Sequence, residues 1–166
     1  VSKVETEDNG TLEKADVLVS GTKKTGQLYS SDDRDVYSIT MAGAGTVAID
    51  FDAPTDSSYL DYFRVLLWDG NATVASQETG KDTTFSAGVD KAGTYYVYID
   101  KWDYHDDGQY GLTVTTSTGS VSKVETEDNG TLEKADVLVS GTKKTGQLYS
   151  SDDRDVYSIT MAGAGT

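Results

Sequence analysis

The sequence predicts an all-β protein: a jelly-roll-type antiparallel β-sandwich with about nine strands in each 120-residue repeat. Three observations predict it. Short runs with an apolar residue at every second position recur at roughly ten-residue intervals, separated by Gly, Asn, Asp and Ser. Helical periodicity is almost absent and is confined to a short turn around residues 11–15. Residues 1–46 recur letter for letter as residues 121–166, an offset of 120 positions. That period is too long for a solenoid turn and suits one whole domain per repeat. Residues 1–120 are therefore expected to form a complete repeat, and residues 121–166 the first part of an identical second one.

Taken in order, residues 1–14 are polar and acidic, with Asn9-Gly10 marking a turn. Val17 and Val19 alternate before Gly21 breaks the run, and residues 26–29 read as a short strand. After the loop Ser30-Ser31-Asp32-Asp33, the residues Tyr37, Ile39 and Met41 alternate with polar neighbours, as in a half-buried strand. Gly43 and Gly45 turn the chain into Val47, Ile49 and Phe51. A polar loop with the only proline, Pro54, leads to Phe63, Val65 and Leu67. Asp69-Gly70-Asn71 is a turn into a strand over 73–76, and a further strand is expected over 84–89. Residues 94–100 make the clearest strand, with Tyr95, Val97 and Ile99 inward and Tyr96 and Tyr98 outward. Tyr110, Leu112 and Val114 close the sandwich, and the Ser/Thr/Gly stretch 115–120 reads as a joint to the next repeat.

Twenty-eight acidic against 14 basic residues leave a net charge of −14, of which −11 falls on residues 1–120. Nucleic-acid phosphate and anionic lipid would both be repelled. Divalent cations suit such a surface, and so does solubility alone. With no cysteine there is neither a disulfide scaffold nor a thiol nucleophile. No apolar run reaches the ~18–20 residues of a membrane span, so no membrane insertion is expected in this segment.

The run Glu5-Thr6-Glu7-Asp8-Asn9-Gly10 with Ala15 shortly after, then Gly26-Gln27-Leu28, then Asp35-Val36-Tyr37, then Gly93-Thr94-Tyr95-Tyr96-Val97 and Gly108-Gln109-Tyr110 follow one another in order. This succession resembles bacterial pre-peptidase C-terminal domains, among them the collagen-binding domains of clostridial collagenases. The resemblance spans residues 5 to about 116, nearly the whole period. It implies a β-sandwich that binds Ca2+ where the acidic head meets the acidic loop. The implied ligands are Glu5, Glu7, Asn9, Asp32 and Asp35, with the carbonyl of Gln27. In the second copy they are Glu125, Glu127, Asn129, Asp152 and Asp155, with Gln147. Gly10 stands where the family often has Asp, so Asp8, Asp33 or water would have to complete the shell.

The chemistry supports this independently. Calcium takes six to eight oxygen ligands, which carboxylates and amide carbonyls supply. A Glu-x-Glu-x-Asn run on an extended chain aims three donors to one side. Without a cation the same carboxylates would repel one another. Read without an ion, the stretch is a solvated acidic linker beside an acidic turn. The loop 103–107 is acidic too but lacks EF-hand spacing, and reads as solvated.

His105 is the only histidine, and no G-x-S-x-G elbow accompanies it, so catalysis is not expected. The rings of Tyr96, Tyr98, Trp102 and Tyr104 could meet a sugar or a peptide, or else cover the sheet face. In the collagen-binding relatives tyrosines of this late strand carry recognition, whereas here Asp100 and Trp102 stand at those places. The expected role is a calcium-stabilised repeat of an extracellular or cell-surface stalk, adhesin or filament. The second expectation is a collagen- or polysaccharide-binding accessory domain of a secreted hydrolase. Because the incomplete end would expose sheet edges, it is expected to pair with a neighbouring repeat or chain, head to tail, by strand exchange. Either copy of the block could complete the same sandwich.

Overall fold

The computed structural model describes residues 2–119 and 124–163. The period-two runs of the first repeat become nine strands: β1 (Asp16–Val17), β2 (Lys24–Gly26), β3 (Arg34–Met41), β4 (Gly45–Asp52), β5 (Phe63–Trp68), β6 (Thr73–Thr79), β7 (Thr83–Val89), β8 (Gly93–Lys101) and β9 (Tyr110–Thr118). The 3-10 turn Leu12–Lys14 is the helical piece that the sequence predicts in the first repeat. The strands form two sheets, one in the order β1-β3-β8-β5-β6 and one in the order β2-β9-β4-β7. All pairs are antiparallel except β1 with β3. The expected β-sandwich is the architecture found. Its edge strands are β1 and β2 on one flank and β6 and β7 on the other.

Alternation decides which side chains meet between the sheets. Tyr37, Ile39 and Met41 of β3, Phe63, Val65 and Leu67 of β5, and Tyr95, Val97 and Ile99 of β8 face Val47, Ile49 and Phe51 of β4 and Tyr110, Leu112 and Val114 of β9. Phe51 packs its ring 5.2 Å from Phe63 and 5.3 Å from Tyr110. At the β5–β6 turn, Gly70 takes φ +95°, a conformation that side chains other than glycine rarely adopt. The Asp69 carboxylate accepts from the N–H groups of Asn71 and Ala72 and so closes that turn.

Two expectations are corrected, for the strand over 26–29 and the joint over 115–120, and one apolar run is placed. The strand expected over 26–29 lies instead at Lys24–Gly26, because the Gln27 N–H donates to the Glu5 carboxylate and not to a ladder partner. Val17 and Val19 are 58% and 46% exposed, and Leu18 between them is the buried residue. The joint expected over 115–120 is largely strand: threonine-rich β9 continues to Thr118 beside β4. Ser120 lies outside the described residues.

The second copy repeats the local structure of the first. It has a 3-10 turn at Leu132–Lys134, and β10 (Asp136–Val137) runs parallel to β11 (Tyr157–Ser158) in the register of β1 on β3. Its apolar residues are placed differently. Leu148 is 64% exposed and Met161 is 61% exposed, whereas Leu28 and Met41 in the first copy are buried. The first copy covers those residues with β4 to β9, for which residues 124–163 have no counterpart.

Candidate metal centre

Two backbone bonds set the position of the head. Glu5 N–H donates to Thr25 O at 2.9 Å and Thr25 N–H donates to Lys3 O at 2.8 Å, laying the head along the outer edge of β2. This aims the Glu5 carboxylate at the mouth of the sandwich. Its Oε1 accepts from Gln27 N–H at 2.6 Å and its Oε2 from Tyr37 Oη at 2.7 Å. Tyr37 Oη lies 2.6 Å from Tyr110 Oη, and Tyr110 Oη donates to Asp35 Oδ2. Oxygens of Glu5, Glu7 and Asp35 all fall within 4.8 Å of one another.

The electrostatics of this cluster are unfavourable as they stand. Asp35 is fully buried. Desolvation, with the charges of Glu5, Asp33 and Glu7, pushes its pKa up to about 9 despite the Tyr110 hydrogen bond. Glu7 is raised in the same direction, first by desolvation and then by Asp33 and Glu5. Desolvation also raises the phenols of Tyr37 and Tyr110, with nearby carboxylates adding to it. Asn9 is wholly buried, and neither its amide oxygen nor its amide nitrogen has a hydrogen-bond partner; Asp35 Oδ1 is likewise buried without a partner. Buried polar atoms of this kind are rare in folded proteins and ask for an explanation. A hard cation would accept oxygen from Asn9 and Asp35 and screen the three carboxylates, so the donor set fits calcium's preference.

Of the residues named from sequence, the fold thus brings Glu5, Glu7, Asn9 and Asp35 together, with Gln27 beside them. Asp32 is exposed and outside the cluster. Its neighbour Asp33 accepts from the N–H groups of Tyr29 and Arg34 and acts electrostatically on Glu7 and Asp35. Asp8 points elsewhere, to Lys14 at 2.7 Å. The loop 103–107 adjoins the site: the Gln27 side-chain amide donates to Asp107 O at 2.6 Å, and His105 Nε2 lies 2.9 Å from Leu28 O. The hydroxyls of Tyr37 and Tyr110 are the functional groups that the sequence reading missed. The available signal was that a buried tyrosine needs a partner for its O–H.

The second copy assembles the same set. Glu125, Glu127 and Asp155 place oxygens within 4.8 Å of one another. Tyr157 Oη donates to Glu125 Oε2 at 2.6 Å, and the Asn129 amide lies 3.4 Å from the same oxygen. Glu127 Oε1, Asn129 Oδ1 and Asp155 Oδ1 are buried and unpartnered. Desolvation and Asp153 raise Glu127 to about 8, and desolvation and Glu125 raise Asp155 to about 6. Gln147 N–H donates to Glu125, and Asp152, like Asp32, is exposed.

The four named aromatics lie along one face of the five-stranded sheet and the loop after β8. Tyr96 and Tyr98 pack on Trp68, with ring centroids at 6.3 and 5.8 Å. Arg64 lies 5.2 Å over the Trp102 ring, and Tyr104 meets Tyr62 at 6.1 Å. Trp102 and Tyr104 remain 38% and 51% exposed.

Fold and site together define a β-sandwich module with a buried carboxylate cluster at the root of its head segment. No family model matches the chain. Among solved structures, it is similar to the pre-peptidase C-terminal domain of a collagenase from Bacillus anthracis, with 29% identity over 61% of this chain and 94% of that one, and a TM-score of 0.47. Among the described residues, no helix is long and apolar enough to cross a membrane.

Proposed function

We propose that the chain is a non-catalytic β-sandwich module of an extracellular protein, whose head segment is fastened by Ca2+. The ligands are Glu5, Glu7, Asn9, Asp35 and the carbonyl of Gln27. The single observation that carries this is the Asn9 side chain, wholly buried with both amide atoms unpartnered beside three clustered carboxylates. The ion supplies positive charge where Glu5, Glu7 and Asp35 would otherwise repel, and so ties the head to β2 and β3. Glu125, Glu127, Asn129, Asp155 and Gln147 form the corresponding site of the second copy.

The setting we favour is an accessory domain of a secreted hydrolase, following the ordered motifs shared with pre-peptidase C-terminal domains. Collagen or a polysaccharide is then the class of ligand, met by the exposed rings of Trp102 and Tyr104. The stalk, adhesin or filament role rests on the repeat alone. Thermal unfolding with calcium and with EGTA tests the ion. At 100-fold excess over Kd a bound ion stabilises by about 2.7 kcal/mol, on the order of 10 °C for a domain of this size. Identical melting temperatures in the two buffers would remove the site.

A further inference from the structure

The two identical heads are placed differently. In each, the head lies along its own β2-type segment: Glu5 N–H donates to Thr25 O, and Glu125 N–H donates to Thr145 O, both at 2.9 Å. The second head also has a neighbour on its other edge. Gly88 N–H of β7 donates to Glu125 O at 2.7 Å, and Gly88 bridges Thr126 in parallel. Nearby, the Gln147 amide reaches Ser76 O at 3.2 Å and Gln77 Oε1 at 3.1 Å on β6. The head thus covers the β6–β7 flank and extends the sheet β2-β9-β4-β7 across the joint.

Gly88 is fitted to this contact. A Cβ there would overlap Glu125 O and come within 2.8 Å of Val124 O; the three nearest atoms it would meet all belong to the head. Glycine inside a strand commonly marks such a close backbone approach. The same segment in the first copy has no such neighbour: no described residue takes up the Glu5 carbonyl, and Val4 is 57% exposed. Glu125 is 3% exposed, whereas its counterpart Glu5 is half-buried. Gln27 is already engaged with Asp107, so in a complete domain the contact would rest on the backbone pair at glycine.

We propose that the free edge of the first head, residues 4–6, docks on the β7 edge of another copy of the same sandwich, residues 1–120, wherever that edge is not already filled from within, pairing Glu5 O with the N–H of that copy's Gly88. The occupant is identified by the structure itself, because an identical segment is already seated on an identical strand. Unpaired strand edges are ready templates for such pairing. The contact is independent of the calcium proposal, since neither group of the backbone pair is an ion ligand.

Residues 1–120 hold all nine strands and every core residue from Leu18 to Val114, so they contain a whole sandwich with both a free head and a free β7 edge. Sedimentation velocity over a fiftyfold concentration range, without and with calcium, tests the contact. Residues 1–120 are expected to at least double in weight-average mass. The full chain, whose β7 edge is filled from within at an effective concentration on the order of millimolar, should stay monomeric over the same range. Gly88→Ala in residues 1–120 should abolish the association without changing the circular dichroism or the melting temperature. A piece that stays monomeric throughout overturns the proposal, and so does a folded Gly88→Ala variant that associates as strongly. Should that variant unfold, the comparison with the full chain decides: equal association by both also overturns it.

Discussion

The Tyr110 hydroxyl donates to the Asp35 carboxylate, although the two residues lie 75 positions apart and on different sheets. Through this bond the last strand of the sandwich supports the carboxylate cluster at the start of β3. Tyr110 is 1% exposed and its ring packs on Phe51 and Phe63, so Tyr110→Phe keeps the packing and removes only the hydroxyl. Asp35 Oδ2 would then be buried without its donor. A loss of about 1–3 kcal/mol is expected in EGTA, read by urea denaturation. A double-mutant cycle with Tyr37→Phe should show the two losses to be non-additive, since the hydroxyls lie 2.6 Å apart. Additive losses would mean that the hydroxyls act separately.

The stability of the metal-free protein should fall as pH rises from about 4 to 9. Asp35 has a pKa of about 9 in the fold against an ordinary 3.8, so between those values the folded state holds a proton that the unfolded state has lost. Stability is full below about 4 and is given up as pH passes toward 9. Glu7, and Glu127 with its pKa of about 8, act in the same sense. Calcium reverses the logic: it must displace those protons, so its affinity should rise with pH over the same window. Denaturation midpoints at pH 5, 7 and 9, in EGTA and in calcium, give both slopes. A metal-free stability that rises with pH would show that Asp35 is ionised in the fold.

The strands were legible because alternation at period two is what a two-sheet core demands, and β3, β5 and β8 show it without interruption. Glu5, Glu7 and Asn9 were legible because three donors on one extended run share a side, whereas Asp35 was named only through the resemblance to pre-peptidase C-terminal domains. The exposure of Asp32 was not legible, since neighbouring residues in a loop point apart and only the loop's own hydrogen bonds, here those that Asp33 accepts, decide which turns inward. Tyr37 and Tyr110 read as core from their rings, and nothing local shows where a hydroxyl finds its partner on another sheet. The alternation of Val17 and Val19 did not show which side is buried, because β1 pairs through only two residues and sits at an edge. Gly88 gave no signal at all: its reason lies in a segment 37 residues later, in the next copy.

Gly26→Ala should damage the ion site more than the fold. Gly26 closes β2 beside the cluster, and a Cβ there would overlap the Tyr110 hydroxyl and lie 2.5 Å from Glu5 Oε2. Both atoms belong to the hydrogen-bonded set around Asp35, and neither can move without leaving a partner. Overpacking of this kind costs about 1–3 kcal/mol. Calorimetric titration should therefore show calcium binding at the first site weakened at least tenfold, while the sheet signal in circular dichroism persists. Gly146→Ala, beside Glu125 and Tyr157, should do the same to the second site and leave the first intact. An unweakened titration in Gly26→Ala would place the ion somewhere other than the Glu5 carboxylate.

Asp100 is a buried charge outside the carboxylate cluster, 7% exposed on β8. Arg64 donates to both of its oxygens, Nε at 2.9 Å and Nη2 at 2.5 Å, and Arg34 stands at 3.3 Å. The two guanidiniums also carry the aromatic face, Arg34 lying 5.7 Å over Tyr98 and Arg64 5.2 Å over Trp102. Asp100→Ala would leave two like charges facing each other across β8 with no anion between them. Removing one partner of a buried, hydrogen-bonded pair costs about 3–5 kcal/mol; because both arginines retain some exposure, a loss of roughly 2–3 kcal/mol is expected here. The same change should free the Trp102 ring and shift its fluorescence to the red. Arg64→Lys keeps the charge but cannot hold both carboxylate oxygens, and should give a smaller loss of stability with a similar shift in Trp102. A variant at Asp100 that keeps full stability and an unshifted Trp102 spectrum would show that the arginines hold this face without their shared carboxylate.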